Sequence, residues 1–187
     1  MRTYEETIEA LNSMIPEIHE NAVAHGWWDG KRTQSEIYAL IHSELSESLE
    51  EYREGNPDID CMTCFAQREE SGKVPNKPEG VVVELADTVI RIMDYLGMRE
   101  WSFKLSCSFT TLNTQEDLSS LIVCSHMKLS EAFLGRDFKD EEIDELSSTV
   151  KWIFEFVENR GYDLVEIIRL KHAFNVTRPY KHGGKII

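Results

Sequence analysis

The chain has 187 residues, with 34 Asp and Glu against 20 Lys and Arg, a formal charge of −14 and 41% hydrophobic residues. A chain of that length and apolar content can bury roughly 70% of its unfolded surface as one soluble domain, residues 1–187, which argues against intrinsic disorder. The acid excess excludes a nucleic-acid polymer or an anionic membrane as main partner, since each needs a basic face, but leaves room for a metal that gathers carboxylates.

Met1-Arg2-Thr3-Tyr4-Glu5-Glu6 has no apolar signal core, and no stretch approaches about 18 consecutive apolar residues, so a cytoplasmic location is expected. Apolar residues recur at three- and four-residue spacing between the prolines, which predicts an all-α helical bundle. A first helix is expected from about Thr3 to Gly26, kinked or broken at Pro16. Thr33 with Glu36 three residues on has capping-box spacing, so the second helix should run from there to about Glu54 and stop at Gly55. Residues 56–80 hold three of the five prolines and read as a loop insertion. A third helix is expected from Val81 to Leu96, stopping at Gly97. Further helices are expected at about Gln115 to Leu134, Glu141 to Arg160 and Leu164 to Asn175, with Asp163 capping the last.

An internal similarity runs across these elements. His42-Ser43-Glu44-Leu45-Ser46-Glu47 returns as His126-Met127-Lys128-Leu129-Ser130-Glu131, and Glu84-Leu85-Ala86-Asp87-Thr88-Val89 returns as Glu145-Leu146-Ser147-Ser148-Thr149-Val150. One explanation is a duplicated helix pair; the other is chance similarity between amphipathic helices. Duplication predicts an asymmetry, because Lys128 replaces Glu44 and Ser148 replaces Asp87.

At about 100° per residue, Glu44, Glu47 and Glu51 share one side of the second helix, beside the stripe Tyr38, Ile41, Leu45, Leu49 and Tyr52. Taken alone, that side reads as a solvated acidic face. The third helix is apolar almost all round, yet carries Glu84 and Asp87 one turn apart in its first half. Buried carboxylates need cations or a metal. Arg91, one turn from Asp87, is a candidate structural partner; alternatively, the two acid pairs offer the oxygen environment of a hard divalent cation.

The order Glu44-Leu45-Ser46-Glu47 followed by Glu84-Leu85-Ala86-Asp87 resembles the metal-binding signature of the MazG-like all-α nucleoside triphosphate pyrophosphohydrolases, a superfamily that includes dimeric dUTPases. The C-terminal run from Lys171 to Lys185 resembles the ending of small MazG-like proteins. The likeness covers about residues 20–97 and 160–185; the interval between the acid pairs is longer than usual, and residues 98–160 look inserted or duplicated.

The resemblance implies a Mg²⁺-dependent enzyme, with Mn²⁺ as a substitute, that hydrolyses a nucleoside triphosphate to the monophosphate and pyrophosphate. Carried over, Glu44, Glu47, Glu84 and Asp87 are metal ligands and Glu47 doubles as the water-activating base. Lys171, Asn175, Arg178 and Lys185 would then bind substrate phosphates, and a homodimer or higher homo-oligomer is expected, the alternative being that a duplicated helix pair supplies that packing within one chain. Ile167 to Ile187 holds five Lys or Arg and no acid, which suits a phosphate side but also a mobile basic terminus. The alternative function is a non-catalytic nucleotide-binding or regulatory bundle. A di-iron carboxylate bundle is disfavoured because no His has Glu three residues before it.

Other motifs carry less. Cys61-x-x-Cys64 is a lone pair and reads as ordinary loop rather than zinc site. His42 points away from Glu44, on the edge of the apolar stripe, and reads as a satisfied buried histidine rather than a ligand. Trp27 and Trp28 read as packing at a helix junction rather than a base-stacking platform.

Overall fold

The computed structural model describes residues 2–56, 77–105 and 117–184, and among them it contains helices and no strands. The helices are α1 (Tyr4–Ala24), α2 (Gln34–Glu54), α3 (Val81–Arg99), α4 (Leu118–Leu134), α5 (Lys139–Asn159) and α6 (Leu164–Val176), followed by a single turn, α7 (Lys181–Gly184). Residues 57–76 of the expected loop insertion, with Cys61 and Cys64, lie outside the described residues, as does Gln115. None of the described helices is long and apolar enough to cross a membrane.

Local signals fix several ends. Thr3 and Thr33 each form a full capping box, with Glu6 and Glu36, so orphan amides at the starts of α1 and α2 are satisfied by side chains. Gly55 ends α2 in the left-handed conformation, φ 76°. Asp163 accepts from the amides of Val165 and Glu166 at the start of α6.

Two expected boundaries are corrected. α1 runs through Pro16 without a break; the proline lies on the exposed face, where the carbonyl it leaves without a helical donor can turn to water. α3 continues past Gly97 to Arg99 and is closed by Glu100 at φ 55°. Gly97 serves close approach instead: a Cβ there would lie 2.5 Å from the Cβ of His19 on α1.

α3 is the central helix. Val82, Val83, Leu85, Ala86, Val89, Ile92, Met93, Tyr95 and Leu96 are completely buried, because α1, α2, α5 and α6 all pack on it. α4 and α5 form a hairpin through the short connection 135–138, and α4 lies against α2. Burial of the α3 side chains on all sides sets any polar group on that helix in a low-dielectric surround.

Candidate metal and phosphate site

One polar stripe crosses α3. Glu84, Asp87, Arg91 and Asp94 follow at intervals of three, four and three residues, so they stack along one face of an otherwise apolar helix. They line a cleft with Glu44 and Glu47 of α2, Asn21 of α1, His25 and Trp27 of the α1–α2 loop, Lys77, and His172, Asn175 and Arg178 of the C-terminal region.

Within this cleft Glu44, Glu47 and Glu84 each present a carboxylate oxygen, all within 4.8 Å of one another. Arg91 holds Glu44 from the far side, its Nε and one terminal nitrogen both 2.9 Å from Oε1. Asp87 stands outside that trio and pairs with Lys171 at 2.8 Å. The Lys171 ammonium, fully buried, also lies 3.5 Å from Glu84 and donates to the Pro78 carbonyl at 3.1 Å. Lys171, expected on the phosphate side, therefore sits beneath the carboxylates with its charge already engaged. Asn175 and Arg178 do line the cleft, and Lys185 lies outside the described residues.

The electrostatics follow from crowding acids in an apolar wall. Burial pushes the Glu84 carboxyl up to about 7, with Lys171 opposing and Asp87 adding to the rise. Burial likewise raises Glu44, against Arg91, with Asp87 and Glu47 reinforcing it. Burial alone would lower Lys171, but Asp87 and Glu84 bring it above the ordinary lysine value. Glu47, by contrast, is exposed, and the Ser43 hydroxyl donates to it at 3.4 Å.

The four carboxylates Glu44, Glu47, Glu84 and Asp87 face two engaged cations, Arg91 and Lys171, which leaves a deficit of two charges. Three convergent carboxylates with that deficit fit a hard divalent cation. Glu44, Glu47 and Glu84 would hold it, with Asp87 fixing Lys171 behind them. Arg178 is drawn toward the same acids: burial lowers it, while Asp87, Glu44 and Glu84 pull the other way. Among the described residues Arg178 forms no ion pair; its guanidinium lies 5.9 Å from the Phe174 ring centroid. The free fork suits an oxyanion. Asn175 Oδ1, buried and without a partner among the described residues, stands on the same wall.

Residues 178–181 are clamped over the α1–α2 loop. His25 Nε2 bonds the Arg178 carbonyl at 2.9 Å, the Lys181 amide donates to the His25 carbonyl at 3.0 Å, and the Tyr180 hydroxyl donates to Asp29. Gly26, at φ 78°, leaves the space that the Tyr180 ring fills. This clamp fixes where the Arg178 backbone enters the cleft.

Trp27 is buried, with the guanidinium carbons of Arg32 and Arg91 5.3 and 5.8 Å from its ring centroid. Trp28 donates to Asp94 at 2.9 Å, and His19 meets the same oxygen at 2.7 Å. Both tryptophans thus join the α1–α2 junction to α3. Sequence reasoning missed the His19, Trp28 and Asp94 cluster; the signal that could have found Asp94 is its spacing from Glu84, Asp87 and Arg91 along one face of α3. Comparison with family models, with curated proteins and with solved structures gave no match.

Proposed function

We propose that the chain is a Mg²⁺-dependent nucleoside triphosphate pyrophosphohydrolase that releases a nucleoside monophosphate and pyrophosphate. The observation that carries this reading is the convergence of Glu44, Glu47 and Glu84 within 4.8 Å in a cleft also lined by Arg178, which forms no ion pair among the described residues. The order of the acid pairs and the C-terminal run, which resemble the MazG-like superfamily, support the reaction type.

A bound divalent cation supplies neutralisation of phosphate charge and acidification of a water. The chain's own groups do the remainder. Glu47, the exposed member of the trio, accepts the proton of the attacking water as its oxygen bonds to the α-phosphorus. The bond from that phosphorus to the bridging oxygen breaks and pyrophosphate leaves. Arg178 offers its planar fork to the phosphate oxygens, and Asn175 offers a side-chain amide beside it. Arg91 and Lys171 hold the acids in place from behind, so that their mutual repulsion does not splay the trio.

The test is pyrophosphate release from a panel of standard and modified nucleoside triphosphates, with and without Mg²⁺, by the wild type and by Glu47→Gln and Asp87→Asn. Mg²⁺-dependent release that both substitutions depress supports the reading. Unchanged turnover in both variants removes the proposed site, and nucleotide binding without turnover by the wild type replaces hydrolysis with a regulatory role.

A further inference from the structure

The sequence similarity between the α2–α3 and α4–α5 segments has a spatial counterpart. His42 and His126, the first residues of the matching runs, stack on each other with ring centroids 4.9 Å apart and planes 9° from parallel. Contact between matching residues is what a two-fold axis produces. Tyr38, one turn before His42, meets Phe133, about two turns after His126, at 5.4 Å between ring centroids, so the two helices pass antiparallel at that point. Local hydrogen bonds repeat as well. The hydroxyls of Ser46 and Ser130 donate to the carbonyls of His42 and His126 at 3.0 and 2.8 Å. Those of Thr88 and Thr149 donate to the carbonyls of Glu84 and Glu145, both at 3.1 Å. Leu45 and Leu129, Leu85 and Leu146, Val89 and Val150 are buried in both copies.

The positions matching Glu44, Glu47 and Glu84 are Lys128, Glu131 and Glu145, and these three also converge. The Lys128 ammonium lies 2.8 Å from Glu131 and 2.7 Å from Glu145. In the first copy a cation is needed between three carboxylates. In the second, the residue that replaces one carboxylate supplies the cation itself.

We infer that α4–α5 is a silenced second copy of the α2–α3 centre, in which the Lys128 ammonium takes the place of a metal ion, so that each chain carries a single working centre. The inference rests on the reading of α2–α3 as a cation site. Its physical content is that Glu131 and Glu145 both close on one cation, the Lys128 ammonium, at 2.8 and 2.7 Å, and that removing the ammonium and restoring the acids would turn the pair into a divalent-cation site.

Mn²⁺ alone is the probe, titrated against the full chain and followed by paramagnetic line broadening. The wild type should show Mn²⁺ binding that Glu44→Gln with Glu47→Gln abolishes. In that double-substituted background, Lys128→Glu with Ser148→Asp should restore binding, with broadening centred on α4–α5. Wild-type failure to bind Mn²⁺ overturns the reading of α2–α3. Wild-type binding with no restoration in a folded quadruple variant overturns the present inference. If the quadruple variant folds only when Mn²⁺ is present, the inference stands. If it folds in neither condition, Lys128→Gln in the Glu44→Gln, Glu47→Gln background decides: a rise in Tm with Mn²⁺ that the background lacks supports the resident-cation role, and no rise overturns it.

Discussion

The α2–α3 and α4–α5 pairs share a scaffold and differ in where the positive charge comes from. In α2–α3 the trio Glu44, Glu47 and Glu84 is all acid, and the protein's own cations, Arg91 and Lys171, stand behind it. In α4–α5 the cation, Lys128, stands within the trio. A scaffold of buried leucines and valines brings three side chains together in either case; the identity of one residue decides whether the result is a trio of acids or a closed ion-pair cluster.

The largest expected effect separates the two on activity. Glu47→Gln should lower pyrophosphate release by about 10²–10⁴-fold, the range for loss of a general base, whereas Glu131→Gln at the matching position should leave the rate at the wild-type level. Equal losses in the two variants would erase the proposed difference.

Stability provides the next contrast. Lys171→Met leaves Glu84 and Asp87 without their buried cation and should cost about 3–5 kcal/mol in the absence of divalent cations. Lys128→Met should cost less, about 1 kcal/mol, since its partners Glu131 and Glu145 are 46% and 23% exposed at the side chain and keep access to water. Chemical denaturation of both variants measures the gap. The shared scaffold predicts the opposite pattern for the leucines. Leu45→Ala and Leu129→Ala, both at fully buried positions, should each cost about 2–5 kcal/mol and by similar amounts.

The smallest effects lie in pH dependence, where the histidine contact between α2 and α4 and the buried Glu84 contribute with opposite sign. Burial, reinforced at His42 by its neighbour, holds both stacked histidines below the ordinary 6.5. The folded state therefore binds fewer protons than the unfolded one. This contribution is fully present above about pH 6.5 and is lost as pH falls through the lower folded values. His126→Gln should flatten that part of the Tm profile. Glu84, raised from 4.5 to about 7, acts the other way. Its contribution in the metal-free protein is present below about pH 4.5 and is lost as pH rises through 7. A divalent cation selects the ionised form, so the rise in Tm with Mg²⁺ should be larger at about pH 8 than at about pH 6. An increment independent of pH would remove Glu84 from the cation-binding group.

Much of the helical framework was legible because its signals are local. Thr33 with Glu36 and Asp163 before α6 announce helix starts within one turn of chain, and Gly55 announces a stop. Pro16 and Gly97 misled for the complementary reason. A proline on a solvent face breaks nothing that water cannot repair, and Gly97 answers to His19 on another helix rather than to its own. The acid stripe on α3 was visible because carboxylates at helical spacing stand out among valines and isoleucines.

The sequence by itself determined that this protein is helical, that acid pairs fall on α2 and α3, and that a later run resembling the first acid pair carries Lys128 at the position of Glu44. These are properties of periodicity and spacing, which the backbone geometry of a helix converts directly into faces. Tertiary structure alone decided the charge partners. Arg91 holds Glu44 rather than the nearer-in-sequence Asp87, the buried Lys171 pairs with Asp87 and Glu84, and Lys128 closes on Glu145 from across a hairpin. Ion pairs form across a few ångströms of space, and which residues share that space depends on helix register and packing that no local run of residues encodes.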